Sequence, residues 1–473
     1  MKSRNVLLFF AAVLALLAAI CGLLPRDGIK LGGHDLNIPS LAQVLHPEDE
    51  TTDTAVLDPE VVALLQQHQD SLDQYHQWRD SSDYRFWMPG DDETFFDGLF
   101  AAMETAAQQG RWLRVLHYGD SQIEMDHITS RLRSRLQETF GGSGLGFVPL
   151  QTIVPTPAVT QWSSRNLPRL TPLSDSLAVR STGNYGFMAQ CFRLDGDVTT
   201  NLRLGNNKHC DPRIYQCSQV GVLYRERGSS LRSLLTVRAP YRSDAATADT
   251  QLLSTDQLVG LHLWRTDSAA TRLQLSLNGS ADIYGVMLDG DPGVMVDNIP
   301  LRGCSGTIFT QINSDLLADA YSLLDIGLII LEFGGNSIPY IRGEKTRNNY
   351  CKELGRQIDR MHHCCPQAKI LFVGPADMST SIGDHYQSYP HLETAIEAIR
   401  DTAMAHGAAY WSQYDAMGGH NAMLRWVQKG WAGKDYIHFS QRGADEMGDL
   451  LADALLNMYR YYRLRRNPPQ VKP

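Results

Sequence analysis

The sequence predicts an α/β protein: a parallel sheet with helices on both faces, interrupted by a β-rich insert. From Ile312 to the C-terminus, apolar strand-like runs alternate with helical patterns, as in a covered parallel sheet. An earlier apolar run, Trp112 to Leu116, feeds a Gly119-Asp120-Ser121 turn and then one helical face of Ile128, Leu132, Leu136 and Phe140. About 160 residues separate that helix from Gly306, whereas a simple βαβ crossover needs about 30. The excess must be an inserted domain.

At the N-terminus, Lys2 and Arg4 precede an uncharged run of 20 residues, Val6 to Pro25. That length and basic flank predict a single membrane segment in residues 1–25. Read as a retained signal anchor or as a cleaved signal peptide, it exports the remainder. No A-x-A cleavage site closes the run, and Ile20 before Cys21 fits a lipoprotein signal poorly. Residues 26–57 are polar and acidic and read as a tether. Residues 58–149 hold N-terminal helices and the first part of the core, and residues 150–300 the insert.

The insert's patterns are strand-like at Val220–Tyr224, Leu235–Val237 and Leu258–Trp264. Leu273 to Leu277 alternates strictly and runs into Asn278-Gly279, a hairpin-type turn. Asp289 to Gly293 reads as another turn, between Ile283–Leu288 and Val294–Val296. These spacings predict a β-sandwich or jelly roll. Residues 301–473 resume the core: helices at Ile312–Leu324, Tyr350–His363 and Leu392–Ala405, strands at Ile326–Phe333, Lys369–Val373 and Ala408–Trp411. A closing helix carries Ala444, Met447, Leu451 and Leu455 on one face, followed by a basic tail of Arg460, Arg463, Arg465 and Arg466.

A formal charge of −9, with no basic stripe interleaved with aromatics, argues against a nucleic-acid partner. Beyond Cys21 there are seven cysteines, an odd number. Cys210 and Cys217 could close a short disulfide loop, and buried thiols are the plainer reading. No Cys/His spacing resembles a zinc site, so neither metal nor cofactor is expected.

The chemistry gathers at Ser121, raised at the carboxyl end of a strand, where open α/β sheets bind ligands. A serine needs a base, and Asp435-Tyr436-Ile437-His438 supplies a carboxylate to orient an imidazole. Asp73 and His76 repeat that spacing upstream, on a predicted helix. Oxyanion donors are expected from the Ser121 N–H, from Gly306 in a small-residue loop, and from Asn336 at another strand's end. Gln122, Glu124 and Arg302 are candidate substrate-binding residues, and Asp377 and His420 candidate rim residues. Asp120 is expected to cap the turn, and His117 to be a satisfied core histidine.

Gly-Asp-Ser, Ser-Gly-Thr, Gly-Gly-Asn and Asp-x-x-His, in this order, resemble the SGNH/GDSL hydrolases. The resemblance implies a flavodoxin-like core, Ser121 as nucleophile, Gly306 and Asn336 as oxyanion donors, and Asp435 and His438 as acid and base. One departure is Ser337, where the family usually has Asp. His117 to Glu124, Ile128-Thr129 and the glycine-rich run from Gly141 to Pro149 look like the peptidoglycan O-acetylesterase branch, which carries a β-rich insert. That branch implies a periplasmic serine esterase removing O-acetyl groups from an acetylated glycan. The alternatives are an SGNH O-acetyltransferase and a non-catalytic glycan-binding protein.

Overall fold

The computed structural model describes residues 59–176, 182–205, 210–238, 246–247 and 251–469, with short pieces before residue 59. The expected membrane segment and tether lie almost wholly outside the described residues. Among the described residues, no helix is long and apolar enough to cross a membrane. The chain divides into two compact units, Met1–Asp70 with Pro468–Pro473, and Ser71–Asn467. Everything below concerns the second.

Five parallel strands form the core sheet, in the spatial order Gly293–Pro300, Trp112–Gly119, Ile326–Glu332, Lys369–Gly374, Ala409–Ser412. Numbered along the chain this is 2-1-3-4-5, the flavodoxin-like order, whose switch point lies between the first and third strands. Side chains alternate between two apolar layers, as strand geometry demands. Leu116, Tyr118, Ile329 and Leu331 face the helices Ser314–Ser322, Glu344–Cys364 and Leu392–Ala405. Leu113, Val115, Leu328 and Ile330 face Asp97–Ala106, Thr129–Phe140 and Gln441–Arg466.

Two boundaries move. Gly293–Pro300, expected inside the insert, is a core strand paired along its length with Trp112–Gly119. Its first five residues are all buried, the pattern of a strand covered on both faces. The basic tail is the last turns of Gln441–Arg466, where Arg465 donates to Asp97 (2.6 Å). At the junction, buried Arg114 on the Ser121 strand pairs with Asp297 (2.9 Å) and with Asp289 at the end of the insert's central strand.

The insert, expected as a β-sandwich or jelly roll, is an antiparallel module whose nine strands form one hydrogen-bonded network and include Gly144–Val148, just before the expected start at residue 150. Three long strands, Cys191–Leu204, Cys217–Arg238 and Arg272–Asp289, run through both halves around a single apolar core. Asn278-Gly279 is not a hairpin turn. It lies within Arg272–Asp289, with Gly279 opposite Gly196 and a register shift against the strand holding Gly228. All three glycines have positive φ (+95°, +107°, +144° for Gly196, Gly228 and Gly279). The glycines therefore form a crease across adjacent strands, which side chains would resist. All seven described cysteines, Cys210 and Cys217 included, are free thiols.

Candidate active site

Ser121 begins a 3-10 turn, Ser121–Asp126, immediately after the first core strand. Asp120 caps that turn, Oδ1 accepting from the Gln122 N–H at 3.0 Å. Ser121 Oγ lies 2.9 Å from His438 Nε2, and His438 Nδ1 lies 2.8 Å from Asp435 Oδ2. The other Asp435 oxygen accepts the N–H groups of Ile437 (3.0 Å) and His438 (3.1 Å). Partial burial disfavours the Asp435 charge, but the hydrogen bonds from His438 and these two N–H groups outweigh it and leave its pKa below the usual carboxylate value. A carboxylate that stays ionised can fix the imidazole tautomer and stabilise its protonated form.

The loop carrying His438 is held from several directions. Tyr436 has φ +60°, its ring stacks on Tyr386 at 4.1 Å, and its carbonyl accepts from Ser379 N–H (3.0 Å). Gln122 spends its amide here: Nε2 donates to Ile437 O (2.8 Å) and Oε1 accepts from Phe439 N–H (3.2 Å). It grips the residues on either side of His438 and so holds that loop, while also lining the cavity over Ser121 as the sequence suggested.

A cavity of about 210 Å³ opens over this group, lined by Ser121, Gln122, Asn336, Tyr340, Met378 and His438 among others. Asn336 follows the third core strand and Ser121 the first, so the two loops flank the switch point. Both Asn336 amide hydrogens have protein partners: Nδ2 donates to Asp120 Oδ2 (2.9 Å) and Cys304 O (3.1 Å). The Gly306 N–H donates to Cys304 Sγ at 3.2 Å. Gly306 has φ +78°, and a Cβ there would meet Phe333 Cβ at 2.8 Å, so the position admits no side chain without a shift. Burial pushes Asp120 up to about 7. Beneath it, His117 is buried between Glu332 (3.0 Å) and Thr129 (2.9 Å), a satisfied core histidine.

Glu124 is buried and binds Arg302 (Nε to Oε1, 2.8 Å), while Arg302 itself is 67% exposed. This pair does not line the Ser121 cavity. It lines a larger one of about 390 Å³ between the core and the insert. Asp377 is buried and braces two loops, accepting from Ser388 Oγ (2.6 Å) and Met423 N–H (2.7 Å). His420 pairs with Glu393 (3.1 Å). His76, of the other Asp-x-x-His, packs on Tyr461 and sits 3.8 Å from Glu93. None of these reaches Ser121. Sequence reasoning missed the pocket walls Tyr340, Pro375 and Met378 and the role of Cys304, for which only adjacency to a motif could have served as a signal. Among the described residues no cluster of His, Cys, Asp or Glu could hold a metal ion.

Residues 267–445 match the model of the GDSL-like lipase/acylhydrolase family. The matched stretch contains Gly306, Asn336, Asp435 and His438 and leaves out Ser121, which lies beyond the insert. A solved structure described as a peptidoglycan O-acetylesterase superposes with a TM-score of 0.61 at 21% identity, covering 80% of this chain and 99% of that one. This chain thus has the fold of that O-acetylesterase, and its C-terminal part is similar to the GDSL-like acylhydrolases. A family two carbohydrate esterase from Cellvibrio japonicus matches at TM-score 0.25 and 12% identity, covering 64% of this chain and 99% of that one. An acetyl xylan esterase matches at 0.27 and 13%, covering 34% and 81%. Among curated protein sequences none matches.

Proposed function

We propose that this chain is an SGNH-type serine esterase that removes O-acetyl groups from a cell-envelope polysaccharide, and that the polysaccharide is peptidoglycan. The observation that carries the reading is the chain of hydrogen bonds Ser121–His438–Asp435 beside the switch point of the sheet. His438 takes the Ser121 Oγ proton as the oxygen attacks the acetyl carbonyl. It then returns a proton to the departing sugar hydroxyl. A water deprotonated by His438 attacks the acetyl-serine, and acetate leaves. Asp435 stabilises the transient imidazolium.

The tetrahedral oxyanion is assigned to the N–H groups of Ser121 and Gly306 and to the Asn336 amide. In the resting structure Cys304 Sγ, a weak acceptor, holds the Gly306 N–H, and the Cys304 carbonyl and Asp120 hold the amide. A full oxyanion is a stronger acceptor than a thiol or a neutral carbonyl, so it can draw these hydrogens away.

Peptidoglycan is favoured by the likeness to the peptidoglycan O-acetylesterase, which extends over more of this chain than the core alone can supply and so includes the insert. The same reading makes the enzyme periplasmic, with Val6 to Pro25 as its export segment. Acetate release from O-acetylated peptidoglycan, measured beside acetylated xylan with a Ser121→Ala control, tests it. Release from peptidoglycan that vanishes in the control is expected. Turnover of xylan alone would reassign the polymer, and acetyl transfer to an added sugar without acetate release would make the enzyme a transferase.

A further inference from the structure

The larger cavity lies on the far side of the Ser121–Asp126 turn from the nucleophile's pocket. Glu124, Met125 and Asp126 line it, and Glu124 is three residues from Ser121, at most roughly 10 Å along the chain. Its other wall belongs to the insert: Pro149 to Val159, Arg169, Thr171, Met188 and Gln190. A chain-like substrate with its ester at Ser121 therefore has this cavity within reach.

Five charged side chains line the cavity, and four of them neutralise one another. Arg133 binds Asp126 in two parallel bonds (2.7 and 2.9 Å), and Arg302 binds Glu124. The fifth is Arg169. Its Nε donates to Gln190 Oε1 at 2.8 Å, and this neutral amide is its partner among the described residues. No carboxylate faces it; although Arg169 is exposed at the cavity mouth, partial desolvation there holds its pKa below the usual arginine value. Gln190 is buried and fixes the direction of the guanidinium. The terminal nitrogens are left as forked donors, a geometry that fits a carboxylate. Met188, Leu173, Ile153 and Pro300 supply apolar walls beside it.

We infer that this cavity is a second substrate subsite, in which Arg169 binds a carboxylate of the polymer whose acetyl ester is cleaved at Ser121. The inference rests on the proposed esterase reading. In peptidoglycan the carboxylate comes from the peptide stem, whereas a neutral acetylated polysaccharide has none. The subsite thus selects an anionic glycan over a neutral one without taking part in bond cleavage.

Calorimetric titration of the full-length Ser121→Ala protein tests this, using soluble glycan–peptide fragments of peptidoglycan and the same fragments with their carboxyl groups amidated. Fragments with free carboxylates should bind roughly tenfold more tightly than amidated ones, the effect of one charge-assisted contact. Adding Arg169→Gln should erase that preference, and Arg169→Lys, which keeps the charge without the fork, should keep only part of it. Gln190→Leu, which removes the group that aims Arg169, should weaken the preference by less than Arg169→Gln does. Thermal unfolding of each variant checks that it is folded. Equal affinity for both fragments, a preference that survives Arg169→Gln, or no binding to either would each overturn the subsite. Acetate release by the unaltered enzyme is measured separately, so loss of the subsite and loss of the esterase reading remain distinguishable.

Discussion

The two cavities beside the Ser121 turn differ in what they contain. The smaller is made entirely by the core and holds a serine and a histidine in hydrogen-bond contact, with the Asn336 amide in the same wall. The larger is walled by core and insert together and has no Ser, His or Cys among its lining residues. Its polar groups are two ion pairs, threonines, the amides of Gln161, Gln190 and Asn298, and one arginine without an acid. A site that must move a proton needs a nucleophile and base at hydrogen-bond distance. A site that only holds substrate needs shape and one complementary charge. On the proposed reading, the difference separates cleavage from recognition on the two sides of a single 3-10 turn.

The sharpest break of that separation is at the nucleophile. Ser121→Ala and His438→Ala should each lower kcat by roughly 10⁴-fold or more, since nucleophile and base act as a unit. Small acetyl esters and polymer should suffer alike in initial-rate assays. Near-normal turnover in His438→Ala would place the base elsewhere.

Asp120 tests whether the floor of the smaller cavity is as dry as its burial implies. Its folded-state pKa, about 7, lies above the usual carboxylate value. Below about pH 4 both folded and unfolded states are protonated. Between about pH 4 and 7 the unfolded chain ionises while the folded one stays neutral, so Asp120 makes stability fall as pH rises, on the order of a few kcal/mol. Urea unfolding at pH 4 and pH 7 should show a smaller loss for Asp120→Asn than for the native protein. Equal slopes would mean that Asp120 is ionised in the fold.

Asn336→Ala should reduce kcat by roughly 10² to 10³ with KM little changed, because an oxyanion donor acts mainly in the transition state. A change confined to KM would move Asn336 to ground-state binding. Gln122→Ala should cost roughly 10- to 100-fold in kcat through a misplaced His438. If only KM responds, Gln122 contacts substrate and belongs with recognition. Arg302→Gln should lower unfolding free energy by roughly 1–3 kcal/mol, because it leaves the buried Glu124 carboxylate without its charged partner. A larger loss would make that pair a structural clamp between the cavities.

The same division governs what could be read from the sequence. Ser121, Asn336 and His438 sit at the ends of short core strands or beside a helix start, where local patterns mark both element and motif. Gln122 was read as a substrate contact because it adjoins the nucleophile. Its partners, Ile437 and Phe439, are more than 300 residues away in sequence, a contact that no local pattern records. In the insert, glycine misled: Asn278-Gly279 has the chemistry of a hairpin turn, yet the sheet uses it with Gly196 and Gly228 as a crease. Gly293–Pro300 was assigned to the insert because a turn precedes it, although its unbroken burial belongs to a parallel core. Arg169 lies in no motif, and its meaning comes from the acid it lacks.

Mass spectrometry after reaction with a fluorophosphonate, which forms a stable adduct with an activated serine hydroxyl, tests the central assignment most directly. One adduct per chain, mapped to Ser121 and strongly slowed in His438→Ala, is the predicted result. Labelling of another serine, or none on folded protein, would contradict the assignment of Ser121 as the nucleophile activated by His438.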